Sequence, residues 1–385
     1  MKAIVNGTIL LPDREITGQA LLYNLQIHDI TDCETAERIS DEIIDAKGCY
    51  IAPGLIDTHM HGYGGFSVTD SSMDDLRQIA CGILQYGVTS FLPTTDTRPW
   101  PILAETFERI RTLMTESRKW NYPGAEILGA HAEGPFLNPV RKGAMNEQHI
   151  QTFDARKVIP YKDVILVMTI APELPGGLQF VREIKEETDI HLSIGHTDAD
   201  CQTACRSVLL GVSRATHLFN AMSPLHHRAP GAVCAALTTD IFTELIADNF
   251  HVDPALYRLL ARTKGNRVVL ITDTERYVDM PDGEYEDDGQ HYILKGRECR
   301  LDNGTIACSV LHMNEAVRNY QIGAGVSLID AVRAASLTPA ESIGMDAIKG
   351  SLLPGRDADI ILMDHNCNVL KTIARGKVLY THPAF

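Results

Sequence analysis

Short apolar runs rich in Ile, Val, Leu and Thr alternate with amphipathic stretches from about residue 50 to about residue 345. Eight stand out: YIAPGLID at Tyr50–Asp57, TSFLPTT at Thr89–Thr95, EILGAHAE at Glu126–Glu133, VILVMTIA at Val164–Ala171, IHLSIGH at Ile190–His196, RATHLF at Arg214–Phe219, TELIAD at Thr243–Asp248 and VVLITD at Val268–Asp273. A strand covered by helices on both faces shows no polar alternation, so unbroken runs of this length predict parallel strands joined by crossover helices. Eight of them predict an α/β fold built on a (β/α)8 TIM-like barrel. An open doubly wound sheet would carry a glycine-rich phosphate turn after its first strand, whereas THMHGYGG follows Asp57.

The flanks differ in pattern. Residues 1–50 and 350–385 carry hairpin-like pieces, KAIVNGTIL with Asn6-Gly7 as a turn signal and DADIILMDHNCNVLKTIARGKVLY. Neither end has enough strands to bury a core alone, so together they predict one small β-sandwich domain beside a barrel of residues 51–349. Residues 275–305 break the rhythm with Pro-Asp-Gly, Asp-Gly and Asn-Gly turns and predict an excursion carrying a hairpin.

Composition narrows the function classes. With 44% hydrophobic and 22% charged residues, the chain has the apolar content for a sizeable core, which argues against disorder. Lys plus Arg total 35 against 50 Asp plus Glu, and the net charge of −15 repels polyanions, so no nucleic-acid partner is expected. An anionic small molecule would need a local pocket of opposite sign. The longest apolar run falls far short of the ~18 residues that cross a bilayer, and Asn6-Gly7 interrupts any signal-peptide core. A cytoplasmic protein with no membrane partner is the expectation. The nine cysteines are odd in number and lack paired spacing, so reduced thiols are expected, including Cys201 and Cys205 on one helix.

Barrel active sites lie where strands end, so the residues ending each run are the informative ones. They supply His59 and His61 just past the first run, Glu133, His196 and Asp273 at the ends of the third, fifth and eighth, and His217 near the end of the sixth. Two histidines at i and i+2 of an extended segment point to one side and can share one metal. Read as unrelated polar strand ends, these residues would leave carboxylates buried without partners, which is costly. A metal centre explains all of them together. Nitrogen and oxygen donors without thiolate fit a catalytic divalent ion of the zinc or iron type, and Glu133 can bridge two. His131, one pleat from Glu133, reads as a supporting side chain.

The motifs DTHMHG at Asp57–Gly62, HAEGPFLNP at His131–Pro139, GHTDA at Gly195–Ala199, THLFNAM at Thr216–Met222, HRAPG at His227–Gly231 and ITD at Ile271–Asp273 resemble the N-acetylglucosamine-6-phosphate deacetylases of the amidohydrolase superfamily. The likeness extends to MNEAVRN at Met313–Asn319 and GSLLPGRDADI at Gly350–Ile360. The resemblance implies two divalent ions, zinc or alternatively iron, manganese or cobalt. His59, His61 and Asp273 would hold one, His196 and His217 the other, and Glu133 would bridge. Relatives such as dihydroorotases bridge with a modified lysine on the fourth strand, yet Val164–Glu173 contains none. Asp273 is then the catalytic base and proton donor for hydrolysis of the N-acetyl amide. Asn220, Ala221 and His251 are the substrate-binding residues, and Arg228 reaches the phosphate across a homodimer interface. The chain departs from the family at Asn249, at Thr274, Glu275 and Arg276, at Cys308 within Ala307–Ser309, and at His312. These positions surround the substrate pocket, so the galacto epimer or another acyl group stays open, as does a non-catalytic sugar-phosphate binder.

Overall fold

The computed structural model describes residues 1–385 and gathers the eight apolar runs into one parallel barrel. We label its strands β1 (Leu55–Met60), β2 (Val88–Thr95), β3 (Ala130–Glu133), β4 (Ile165–Ile170), β5 (His191–Ile194), β6 (Arg214–Ala215), β7 (Phe242–Ile246) and β8 (Val268–Ile271). Consecutive strands pair in parallel from β1 to β8. Every position of β1 and β2 is buried, which is why their sequences show no alternation. The seam between β8 and β1 is sewn at its C-terminal end, where Asp273 N–H donates to His59 O at 2.9 Å and His61 N–H donates to Thr274 O at 2.7 Å. The third run is interrupted: Glu126–Ile127 pairs with β2 before β3 begins. A Cβ at Gly129, in the gap, would lie 2.8 Å from Val164 O, so glycine lets the chain pass there.

Helices cover the outside. In Met73–Gly82, Ser72 Oγ accepts from Asp75 N–H while the Asp75 carboxylate accepts from Ser72 N–H, a reciprocal cap that starts the helix. Its Leu76, Ile79 and Ala80, spaced i, i+3 and i+4, face the barrel core.

The chain ends build one sandwich, with a departure from the expected pairing. Lys2–Val5 and Thr8–Leu10 flank Asn6-Gly7 but do not form a hairpin; they enter different sheets. Lys2–Val5 lies between Gln19–Tyr23 and Glu42–Asp45, whereas Thr8–Leu10 joins Tyr50–Pro53 and the C-terminal strands Ile360–Met363, Val369–Ala374 and Lys377–Thr381. The turn is a corner between sheets because each strand finds an apolar neighbour elsewhere. Ile4, Ile9, Leu21, Ile51, Ile360 and Ile373 share one core, so neither end could bury it alone. Lys349, 1% exposed, ties this unit to the barrel, its Nζ lying 2.6 Å from Glu126, 2.9 Å from Asp357 and 2.7 Å from Asp359.

The excursion after β8 is larger than a hairpin. Gly283–Asp287, Gln290–Lys295, Glu298–Leu301 and Ile306–Cys308 form a four-stranded antiparallel sheet that walls the mouth of the barrel. Beneath it the C-terminal ends of the strands open into a cavity of about 260 Å³.

Candidate metal centre and active site

The strand ends turn sharply at the cavity. His196, His217 and Asp273 follow β5, β6 and β8 with φ of 46°, 28° and 53°, the left-handed region that side chains rarely adopt. Each such conformation costs on the order of 1–3 kcal/mol and persists only where neighbours hold it. They do so here. Asn138 N–H donates to His196 O at 2.9 Å, His217 N–H donates to Glu244 Oε2 at 3.2 Å, and Ser309 N–H donates to Asp273 O at 3.1 Å. The shared break aims three side chains from separate strands at one point.

At that point the donor atoms sort into two sets around one carboxylate. Glu133 Oε2 lies 3.3 Å from His59 Nε2 and 3.0 Å from His61 Nε2, while Oε1 lies 3.3 Å from His196 Nε2 and 3.0 Å from His217 Nε2. Asp273 Oδ1 joins the first set, 3.2 Å from His59 and 3.4 Å from His61. Within each set two imidazole nitrogens face one another, at 3.1 Å for His59 and His61 and 3.0 Å for His217 and His196. His59 Nδ1–H donates to Glu244 at 3.0 Å and His196 Nδ1–H to Arg141 O at 2.9 Å, which turns the Nε2 lone pairs inward. Glu133 Oε1 and His217 Nδ1 are buried without a hydrogen-bond partner. Converging lone pairs and carboxylates need a cation, so both groups of donors are able to hold a divalent metal.

The surrounding charges lean the same way. Burial opposes a charge on His59, but Glu133, Asp273 and Glu244 outweigh it and raise its pKa to about 10, so these carboxylates favour a positive charge at Nε2, be it a proton or a metal ion that displaces it. Burial, with His59 adding to it, drives His131 down to about 3. That ring is therefore neutral; it accepts from Thr169 Oγ1 at 2.8 Å and donates to Thr58 O at 3.2 Å. Burial works against the Glu244 carboxylate, yet His59 and Arg214 hold its pKa down to about 2. Arg214, fully buried, lies 2.7 Å from it.

The substrate-side residues divide. Asn220, Ala221 and His251 line the cavity, and His251 Nδ1 is tied to Asp248 at 2.6 Å, leaving Nε2 free. Arg228 is exposed and lies outside the cavity of its own chain, its Nη1 2.6 Å from His227 Nε2. No lysine lines the cavity, and its single arginine, Arg98, lies within 3.7 Å of Asp70, Asp96, Asp287 and Asp288.

Reading strand ends missed several supports. Asp96, whose Oδ1 is 2.9 Å from His61 Nδ1, stands one residue past the end of TSFLPTT. Glu244 and Arg214 sit inside apolar runs, and a charge in such a run is itself the signal, because burial demands a partner. Asp57 accepts from Thr272 Oγ1 at 2.5 Å, and burial raises its pKa to about 7.

Comparison with known proteins places these features in context. The amidohydrolase family profile matches residues 50–379. The N-acetylglucosamine-6-phosphate deacetylase of Bacillus subtilis (strain 168) is 36% identical over 98% of this chain and 97% of its own. The N-acetylgalactosamine-6-phosphate deacetylase of Escherichia coli O157:H7 is 35% identical over 89% of this chain and 91% of its own. The crystal structure of N-acetylglucosamine-6-phosphate deacetylase from Pasteurella multocida superposes with a TM-score of 0.93 at 30% identity, over 99% of this chain and 100% of that one.

Proposed function

The chain belongs to the amidohydrolase family, and we propose that within it this protein is a deacetylase converting N-acetylglucosamine 6-phosphate to glucosamine 6-phosphate and acetate. The observation that carries the reading is the division of Glu133 between two histidine pairs, with Asp273 at the end of β8 beside one of them. His59, His61 and Asp273 would hold one divalent ion and His196 and His217 a second, with Glu133 placed to reach either. Such ions, when bound, polarise the amide carbonyl and acidify the attacking water.

The side chains do the rest. Asp273 takes the proton of the attacking water and returns it to the departing amine, a group that leaves poorly unless protonated. Its backbone is fixed on both sides, by His59 O and by Ser309 N–H, so the carboxylate swings little between the two transfers. Glu244 keeps His59 in the tautomer that presents Nε2. His251 accepts a sugar hydroxyl at Nε2, since Nδ1–H is engaged by Asp248. Asn220 and Ala221 hold the sugar phosphate from the loop after β6.

The phosphate needs a cation that one chain does not offer, because Arg98 is surrounded by carboxylates. Arg228 of a second copy supplies it, which makes the working unit a homodimer; a guanidinium presents a fork suited to phosphate oxygens. Residues 51–349 carry the chemistry and residues 1–50 with 350–385 the supporting sandwich. No helix of the chain is long and apolar enough to cross a membrane.

Acetate release from a panel of N-acetylated hexosamines, gluco and galacto, with and without the 6-phosphate, tests the reading. The highest kcat/KM is expected for N-acetylglucosamine 6-phosphate. Preference for the galacto epimer would reassign the substrate, and no acetate from any of them in metal-loaded protein would overturn the activity.

A further inference from the structure

Cys299 and Cys308 are direct register partners on the antiparallel strands Glu298–Leu301 and Ile306–Cys308 of the sheet that walls the cavity. Opposed residues on such strands bring their Cα atoms to about 4.5–5.5 Å with side chains on one face, inside the roughly 4.4–6.8 Å that a disulfide spans. Both are free thiols, buried in a cluster with Tyr277, Tyr292, Leu294 and Leu301. Cys308 also lines the cavity, so a water-sized oxidant entering the active site reaches its sulfur, with Cys299 fully buried behind it. The Cys308 thiol lowers the pKa of Cys299, which favours the nucleophilic form there, while burial raises that of Cys308.

We propose that Cys299 and Cys308 are a redox modification site, closing to a disulfide under peroxide and so altering the active-site wall. The Cys308 sulfur, which faces the cavity, attacks one peroxide oxygen; the O–O bond breaks, giving a sulfenic acid and one water. The Cys299 sulfur then attacks the sulfenic sulfur, the S–O bond breaks, and the departing hydroxide leaves as a second water with the Cys299 proton. Two thiols and one peroxide thus give one disulfide and two waters, the sulfurs supplying the two electrons. The consequence for the site runs through the next residue. Ser309 holds the Asp273 carbonyl through its N–H at 3.1 Å and the Thr272 carbonyl through its hydroxyl, so a bond at Cys308 pulls directly on the turn that positions Asp273. This second step rests on the reading of Asp273 as proton carrier; the bond itself does not.

The test treats metal-loaded, full-length protein with hydrogen peroxide and follows intact mass, peptide mapping and acetate release. The expected result is loss of two hydrogens, a crosslink joining the peptides of Cys299 and Cys308, and a fall in kcat of about 10-fold, as for a half-ångström displacement of a reacting group. A phosphine reductant restores the rate. Cys299→Ser and Cys299→Ala keep the untreated rate and lose the peroxide response. Thiols that remain alkylatable at both positions, or a crosslink confined to Cys201 and Cys205, whose sulfurs are 4.0 Å apart on one helix, would overturn the modification site. A mapped Cys299–Cys308 crosslink with unchanged kcat, or equal inactivation of the Cys299 variants, would overturn its coupling to the active site.

Discussion

Glu244→Gln separates a positioning carboxylate from a merely buried one. In the native protein one oxygen of Glu244 accepts from His59 Nδ1 at 3.0 Å and His217 N–H at 3.2 Å, and the other from Arg214 Nη2 at 2.7 Å. All three partners are donors. A glutamine therefore sets its NH2 against donors in either orientation, and each buried donor left unpaired costs about 1–3 kcal/mol, more when charged. Keeping the amide oxygen on the Arg214 cation is the cheaper arrangement. It drives His59 to the other tautomer, with the proton on Nε2 where the lone pair faces Glu133 and Asp273. Loss of such a support lowers metal affinity by about 10–100-fold. Competition with a chromophoric chelator measures that loss, and urea denaturation of metal-free protein separates it from the stability change. A folded Glu244→Gln protein whose metal affinity stays within about twofold of wild type would refute the argument.

Four further outcomes are expected. Asp273→Asn should keep the fold and substrate binding while kcat falls by about 10²–10⁴-fold, measured by acetate release, since an amide can neither take nor return the proton. Metal analysis should find that His59→Asn with His61→Asn empties mainly one site whereas Glu133→Gln disturbs both; equal small losses would contradict bridging. Arg228→Ala should raise KM for the 6-phosphate ester and leave the weak hydrolysis of the neutral sugar little changed, in a protein that sediments as a dimer. Lys349→Met leaves Glu126, Asp357 and Asp359 facing one another in a buried site and should destabilise by about 3–5 kcal/mol in a denaturant melt. Burial opposes the Lys349 charge, yet the three carboxylates raise its pKa above the ordinary 10.5. Its contribution is accordingly full below 10.5 and lost as pH rises further, so wild type should lose more stability than Lys349→Met in that alkaline range.

The barrel and the six residues at its centre were legible because burial on both faces leaves an unbroken apolar run, and the end of a run marks the active-site face. His59, His61, Glu133, His196 and Asp273 stand at or just past the end of a run, His217 stands two residues before the end of its own, and the family motifs around them need no geometry to be seen. The same argument stopped one residue short of Asp96 and passed over Glu244 and Arg214 inside their runs. Side-chain pairing between strands 30 residues apart, as for Arg214 and Glu244, has no local periodicity. The Asn6-Gly7 corner misled for a related reason: a turn residue reports the bend of the backbone but not which strands will flank it.

What the amino-acid order determined by itself is the alternation of strands and helices and the chemical types gathered at the strand ends, since both follow from local burial and spacing. What only the tertiary structure decided is how those types are shared out. The left-handed breaks at His196, His217 and Asp273, the division of Glu133 between two histidine pairs, and the isolation of Arg98 among four carboxylates come from closing the barrel. Closure brings distant groups within a few ångströms, where low dielectric and hydrogen-bond geometry, rather than sequence neighbours, set each side chain's direction and charge.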